Sequence, residues 1–208
     1  MRWIPFVALI FVACGVTFAQ PVFDVSGGYS HLSIRNPQNL LIDKDGGYID
    51  GEFGFHVYGD FPLVLGAGID LSDFFKSQDV TVPIGGGLFA TTTDYSDFGC
   101  ATFEGRAAMP IMFGADRGFF VEPRVGAGLL WESYTIDNFN SNGGTTNFFT
   151  DYHDGLGFEV RPGVKCGYSW GPGAVGVEAA YMAGWGELGA FGSRLQELQL
   201  GAFFSWRF

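Results

Sequence analysis

Over most of this chain apolar residues alternate with polar residues or glycine, in stretches of about ten residues separated by turn chemistry. A period of two belongs to the β-strand, whose successive side chains point to opposite faces. Phe23, Val25, Gly27 and Tyr29 oppose Asp24, Ser26, Gly28 and Ser30, and Ile49, Gly51, Phe53 and Phe55 oppose Tyr48, Asp50, Glu52 and Gly54. The same pattern returns from Leu63, Ala101, Val121, Phe158, Val175 and Leu198, which makes eight predicted strands. Helical periodicity is absent, and past the N-terminus no run approaches the ~18 apolar residues of a spanning helix.

The connections alternate in length. Residues 60–62, 114–118 and 170–173 are tight turns rich in Gly, Pro and Asp, whereas 35–46, 74–100, 132–154 and 184–194 are long and polar. Short and long connections in this order describe an all-β, eight-stranded antiparallel up-and-down transmembrane barrel. It has four long outer loops, three short periplasmic turns and both termini on the periplasmic side. A soluble barrel also alternates, so charge placement must decide between the two. The charged parity is also the glycine-rich one, with Gly54, Gly66, Gly68, Gly126, Gly128, Gly163, Gly167, Gly176 and Gly201. Small residues suit a crowded lumen. The other parity carries Tyr29, Phe113, Trp131, Tyr168, Trp206 and Phe208 near strand ends, as lipid-facing girdles do.

Composition removes other classes. Charged residues make up 16% against a typical ~25%, and aromatics 17%, so the chain is not disordered. A net charge of −11 argues against nucleic acid as a partner. The three cysteines, Cys14, Cys100 and Cys166, have neither metal-finger nor disulfide-scaffold spacing. At the N-terminus Arg2, an apolar run from Trp3 to Val12 and small residues leading to Ala19 read as a secretory signal peptide of residues 1–19. Residues 20–208 would then form the barrel domain, with a charge of −12 once Arg2 is removed from the −11 total. A competing reading takes Phe11-Val12-Ala13-Cys14 as a lipoprotein cleavage box that leaves Cys14 acylated.

Three strands repeat Glu-x-Arg: Glu104-Arg106, Glu122-Arg124 and Glu159-Arg161. A spacing of two places both charges on the lumen face, with Glu52, Lys165, Glu178, Glu197 and Arg207 on the same parity. The expected result is a buried network in which Arg106, Arg124, Arg161 and Lys165 balance Glu52, Glu104, Glu122, Glu159 and Glu178. A gated solute path lined by the same charges is the alternative, although eight strands leave an interior just wide enough for side chains.

Catalysis would fall to a histidine. His56 faces the lumen, His31 lies near the outer end of strand one, and His153 is flanked by Asp151 and Asp154. Adjacent strand residues point oppositely, so His153 and Asp154 cooperate only if that stretch is irregular. Gly-x-Ser-x-Gly and His-Glu-x-x-His are both absent from the sequence. The acidic pairs Asp43/Asp45 and Asp70/Asp73 lack the calcium-loop pattern and read as solvated tips, so neither metal nor cofactor is expected. Residues 138–144 form a polar tip, and Phe148-Phe149 after it is either a contact site or packed on the rim. Cys166 is expected to face lipid, and Cys100 and Cys166 to lie too far apart for a disulfide.

The final segment, Leu200-Gly201-Ala202-Phe203-Phe204-Ser205-Trp206-Arg207-Phe208, resembles the C-terminal assembly signal of bacterial outer-membrane proteins, with Leu200, Ala202, Phe204, Trp206 and Phe208 as its alternate apolar positions. With the leader and the eight strands, the chain resembles the small outer-membrane β-barrel family of the OmpA transmembrane domain, OmpX and OmpW. That resemblance implies a Gram-negative-type host, insertion by the outer-membrane assembly machinery, and contact with outer-membrane lipids and lipopolysaccharide. It implies no single activity. With nothing after Phe208, no peptidoglycan-binding domain is expected to follow. The resulting expectation is a monomeric, non-enzymatic barrel that acts structurally or binds an extracellular ligand through its loops. A narrow solute channel and a lipid-modifying enzyme are the alternatives.

Overall fold

The computed structural model describes residues 18–35, 41–57, 63–74, 78–84, 89–114, 117–142, 145–188 and 191–208. The expected leader, and Cys14 with it, lies almost wholly outside them. The elements are β1 (Phe18–Arg35), β2 (Leu41–Val57), β3 (Leu63–Phe74), β4 (Gln78–Ile84), β5 (Phe89–Ala108), β6 (Ile111–Phe113), β7 (Arg117–Asn142), β8 (Thr145–Trp170), β9 (Gly173–Leu188) and β10 (Phe191–Arg207). Neighbours pair antiparallel in the order β5-β3-β2-β1-β10-β9-β8-β7, and β5 pairs with β7 to close the ring. These eight wall strands are the expected ones. Closure leaves no edge in the wall, which a sheet surrounded by lipid requires.

The two extra strands extend that wall. β4 folds back on the outer end of β5, from Gln78↔Tyr95 to Ile84↔Phe89. β6 resumes pairing with β7 after Met109-Pro110 interrupts β5, where Pro110 has no N–H to offer the ladder. At the short turns Gly114 and Gly171 hold φ of 129° and 105°, a region that favours glycine.

Several segments read from the sequence as open loops are paired strand. The β7–β8 ladder runs without a break from Arg117↔Trp170 to Asn142↔Thr145, and β1–β2 pairing reaches Arg35↔Leu41. Thr135, Thr145, Thr146 and Thr150 favour strands, but with no apolar face there is no period-two signal to reveal them.

Side-chain parity follows the alternation throughout. Phe23, Ile49, Phe53, Ile69, Phe103, Leu129, Phe158, Val177 and Leu200 are exposed on the outer wall, while Asp50, Glu52, Asp70, Glu104, Glu159 and Glu197 are buried inside. The lumen is built in three layers. Toward the outer end Leu32, Ile34, Phe74, Phe98, Cys100, Leu130, Met182 and Leu195 form an apolar cluster. Toward the opposite end, that of the short turns, Phe120, Ala174 and Phe203 form a second, with Met112 against it. Most of the buried charged residues lie between, while Lys44 and Glu132 are buried level with the first cluster.

Candidate functional site: the filled lumen and the outer wall

The middle layer is organised by four cations. The Arg106 guanidinium donates to both oxygens of Asp50, at 2.6 and 2.7 Å, to Glu52 at 3.2 Å, and to Glu104. Arg161 pairs with Asp70 at 3.1 Å, Glu104 at 3.3 Å and Glu159 at 3.7 Å, and donates to Thr102. Arg124 pairs with Glu52 and, at 3.9 Å, with Glu178. Lys165 donates to Asp24 at 2.8 Å, lies 3.9 Å from Glu178, and caps the Phe203 ring at 5.0 Å. Neutral groups extend the network. Glu178 accepts from Ser26 and Tyr48, and Glu197 accepts from Ser30, Ser72 and Gln199.

The expected lumen residues Glu52, Glu104, Arg106, Arg124, Glu159, Arg161, Lys165 and Glu178 are thus brought together, whereas Glu122 faces inward, half-buried, without an ion pair among the described residues. The Glu-x-Arg spacing is itself a direct contact in two triplets only. The charge count also differs from expectation, because Asp24, Asp50 and Asp70 join the network: seven carboxylates share four cations. Each cation therefore serves two or three carboxylates. Both carboxylate oxygens of Glu132, at the outer cluster, lack a hydrogen-bond partner among the described residues.

Little space remains. A cavity of about 20 Å³ beside Asp50, Arg106, Arg124, Arg161 and Glu178 has room for about one water. Inward glycines make this packing possible. A Cβ at Gly128 would meet the carbonyl of Phe103, and one at Gly68 the guanidinium of Arg106.

The other sequence candidates are separated. Asp70 is buried on Arg161, while Asp43, Asp45 and Asp73 are exposed on the outer wall. No group of three metal-ligating side chains occurs among the described residues. His56 is half-buried on the lumen parity. His153 pairs with Tyr134 in a regular ladder, so the irregularity a His153–Asp154 dyad needs is absent; the side chains of Asp151 and His153 lie outside the described residues, as do those of 138–144, Phe148 and Phe149. Cys100 is buried in the lumen and Cys166 is exposed outside, both as free thiols. Among the described histidine side chains, His31 has a carboxylate partner: its Nδ1 lies 2.9 Å from Asp45 Oδ1, which also accepts from Tyr29 Oη at 2.5 Å. Sequence reading missed this pair because it depends on the β1–β2 register, His31↔Asp45.

Leu200, Ala202, Phe204 and Trp206 face outward on β10, which pairs with β1 and β9, and Phe208 just past its end is exposed. The Phe204 and Trp206 rings stack at 6.2 Å, and the Phe208 N–H donates to the Pro21 carbonyl at 3.0 Å. Their assembly role stays an expectation of the resemblance.

No family profile and no curated protein matches this sequence. Solved structures do. The outer-membrane protease OmpT from Escherichia coli aligns over 93% of this chain and 98% of its own, at 10% identity and a TM-score of 0.54. Neisserial surface protein A aligns over 89% and 97%, at 18% identity and a TM-score of 0.46. The attachment invasion locus protein Ail of Yersinia pestis aligns over 90% and 100%, at 10% identity and a TM-score of 0.43. With its closed ring, polar lumen and exposed apolar belt, the chain has the fold of the small bacterial outer-membrane β-barrels.

Proposed function

We propose that the protein is an outer-membrane barrel that acts at the cell surface through its outer hairpins rather than by passing solutes. The observation that carries this reading is the filled lumen, charged in the middle and apolar toward both ends. A path for ions or small polar solutes would cross Leu32, Leu130 and Leu195 at one end and Phe120 and Phe203 at the other. The elements left to meet a partner are the hairpins of β1–β2, β4–β5, β7–β8 and β9–β10. The β7–β8 hairpin runs ten residues past Glu132 on one strand. The barrel would be a monomer in contact with outer-membrane lipids and lipopolysaccharide, inserted by the assembly machinery that the C-terminal strand resembles a substrate of.

The test is adhesion of cells displaying the wild type against cells displaying a variant whose β7–β8 hairpin is replaced by a tight turn beyond Ser133 and Asp154. Equal surface levels of both are confirmed by labelling. Loss of adhesion to host-cell monolayers and to other bacteria in the trimmed variant is expected. Retained adhesion after trimming each hairpin in turn would refute the reading.

A further inference from the structure

We propose that Ser33, His31 and Asp45 form an acyl-ester hydrolase site on the outer wall of the barrel, acting on a lipid whose acyl chain lies in the groove below them. The site goes beyond the hairpin function and shares no residue with the lumen.

All the groups are on the outward parity of adjoining strands. Asp45 receives two hydrogen bonds on one oxygen, from Tyr29 Oη and from His31 Nδ1. A carboxylate only accepts, so Nδ1 carries the proton and Nε2 is left with a lone pair, the arrangement of a general base. Ser33 follows His31 by two residues on the same face of β1, placing the two Cα atoms about 7 Å apart, within side-chain reach. Gln196 pairs with Ser33 from β10 and also faces outward, so its amide is a donor for an oxyanion formed there. The cluster is accessible: the His31 side chain is 40% exposed and that of Asp45 50%.

The second observation is the groove. Phe23, Ile49, Gly51, Phe53, Ala67 and Phe103 border an open apolar depression of about 400 Å³ on the same wall. Gly51 is the outward glycine on its floor. A Cβ at Gly51 would meet nothing within 4 Å, so barrel packing does not require glycine there, unlike at Gly128 or Gly68 in the lumen. Only one outward pair, Tyr29↔Gly47, separates Ile49 at the groove's upper rim from the His31↔Asp45 pair. With no side chain at Gly47, an acyl chain lying in the groove can extend to bring its ester carbonyl to Ser33. The exposed carboxylates of Asp43 and Asp73 flank this passage, which favours a lipid head group bearing an ammonium over an anionic one.

The chemistry balances with water as the only co-reactant. His31 Nε2 takes the Ser33 hydroxyl proton as Oγ bonds to the ester carbonyl carbon, and the alcohol leaves with that proton as the C–O ester bond breaks. Water then attacks the acyl-serine by the same relay, and fatty acid is released with Ser33 restored. Ser33 and His31 are the catalytic residues; Asp45 and Tyr29 position the imidazole.

The test uses the full barrel in vesicles, with folding shown by the heat-modifiable gel shift. Release of fatty acid and lysolipid is measured from phosphatidylethanolamine and from phosphatidylglycerol, and a fluorophosphonate is used to label the active serine. Fatty-acid release from phosphatidylethanolamine and mass-spectrometric labelling at Ser33 are expected. Ser33→Ala should abolish labelling, and His31→Gln should slow it at least ~100-fold. Asp45→Asn should lower kcat with little change in KM, and Gly51→Phe should raise KM and spare kcat. A folded wild type that neither hydrolyses the lipid nor takes the label overturns the proposal. Hydrolysis that survives Ser33→Ala overturns Ser33 as nucleophile.

Discussion

The inner and outer faces of the β1–β2–β3 wall are made by alternate residues of the same strands, yet they use polar groups and glycines in opposite ways. Inside, Ser26, Ser30, Asp50, Glu52 and Asp70 are buried and tied to partners from distant strands, and the glycines leave room for neighbouring side chains. Outside, Tyr29 and His31 both bond to Asp45 in an accessible position, and a Cβ at Gly51 would meet nothing within 4 Å. The inner set is what the fold needs. The outer set faces away from the lumen, which leaves it available for chemistry.

The comparison is broken most severely at the lumen cations. Arg161→Ala would leave Asp70 and Glu159 without their cation and Glu104 with Arg106 alone, so it should cost about 3–5 kcal/mol in urea unfolding. Glu159→Gln removes one of seven carboxylates sharing four cations, and it should cost much less. Leu130→Ala, in the fully buried outer cluster, is expected to lose about 2–5 kcal/mol by cavity formation.

Gly128→Ala should cost about 1–3 kcal/mol, because the new Cβ is forced against the Phe103 backbone. By contrast, Gly51→Ala on the outer wall should change stability by no more than ~0.5 kcal/mol, measured in the same titration. If the two glycine variants were equally destabilised, the distinction between the faces would fail. The smallest effect is chemical: a maleimide should modify exposed Cys166 in the folded barrel and reach buried Cys100 only after unfolding, as read by mass spectrometry.

The eight wall strands and the side each residue faces were legible because every strand through the apolar belt must be apolar on one face only. The charged residues of the lumen were legible for the same reason. The outer apolar cluster was not. Leu32, Ile34, Leu130 and Met182 face inward, on the parity that elsewhere marks charge and glycine, so there the alternation no longer distinguishes the two faces. Asp24, Asp50 and Asp70 lay on the correct parity, but the Glu-x-Arg repeat drew the charge count toward glutamate. The partner of His31 was hidden for a topological reason. Asp45 is 14 residues away, and their contact follows from a register carried across the β1–β2 connection.

Planar bilayer recording of the purified wild type tests the central claim, that the lumen is closed by a charged layer between two apolar clusters. The barrel should be closed or very weakly conducting, because the bore is occupied by Arg106, Arg124 and Arg161 and capped by Leu130 and Phe203. A steady, large, ion-selective conductance from the wild type would contradict the account and make solute passage the first reading of this protein.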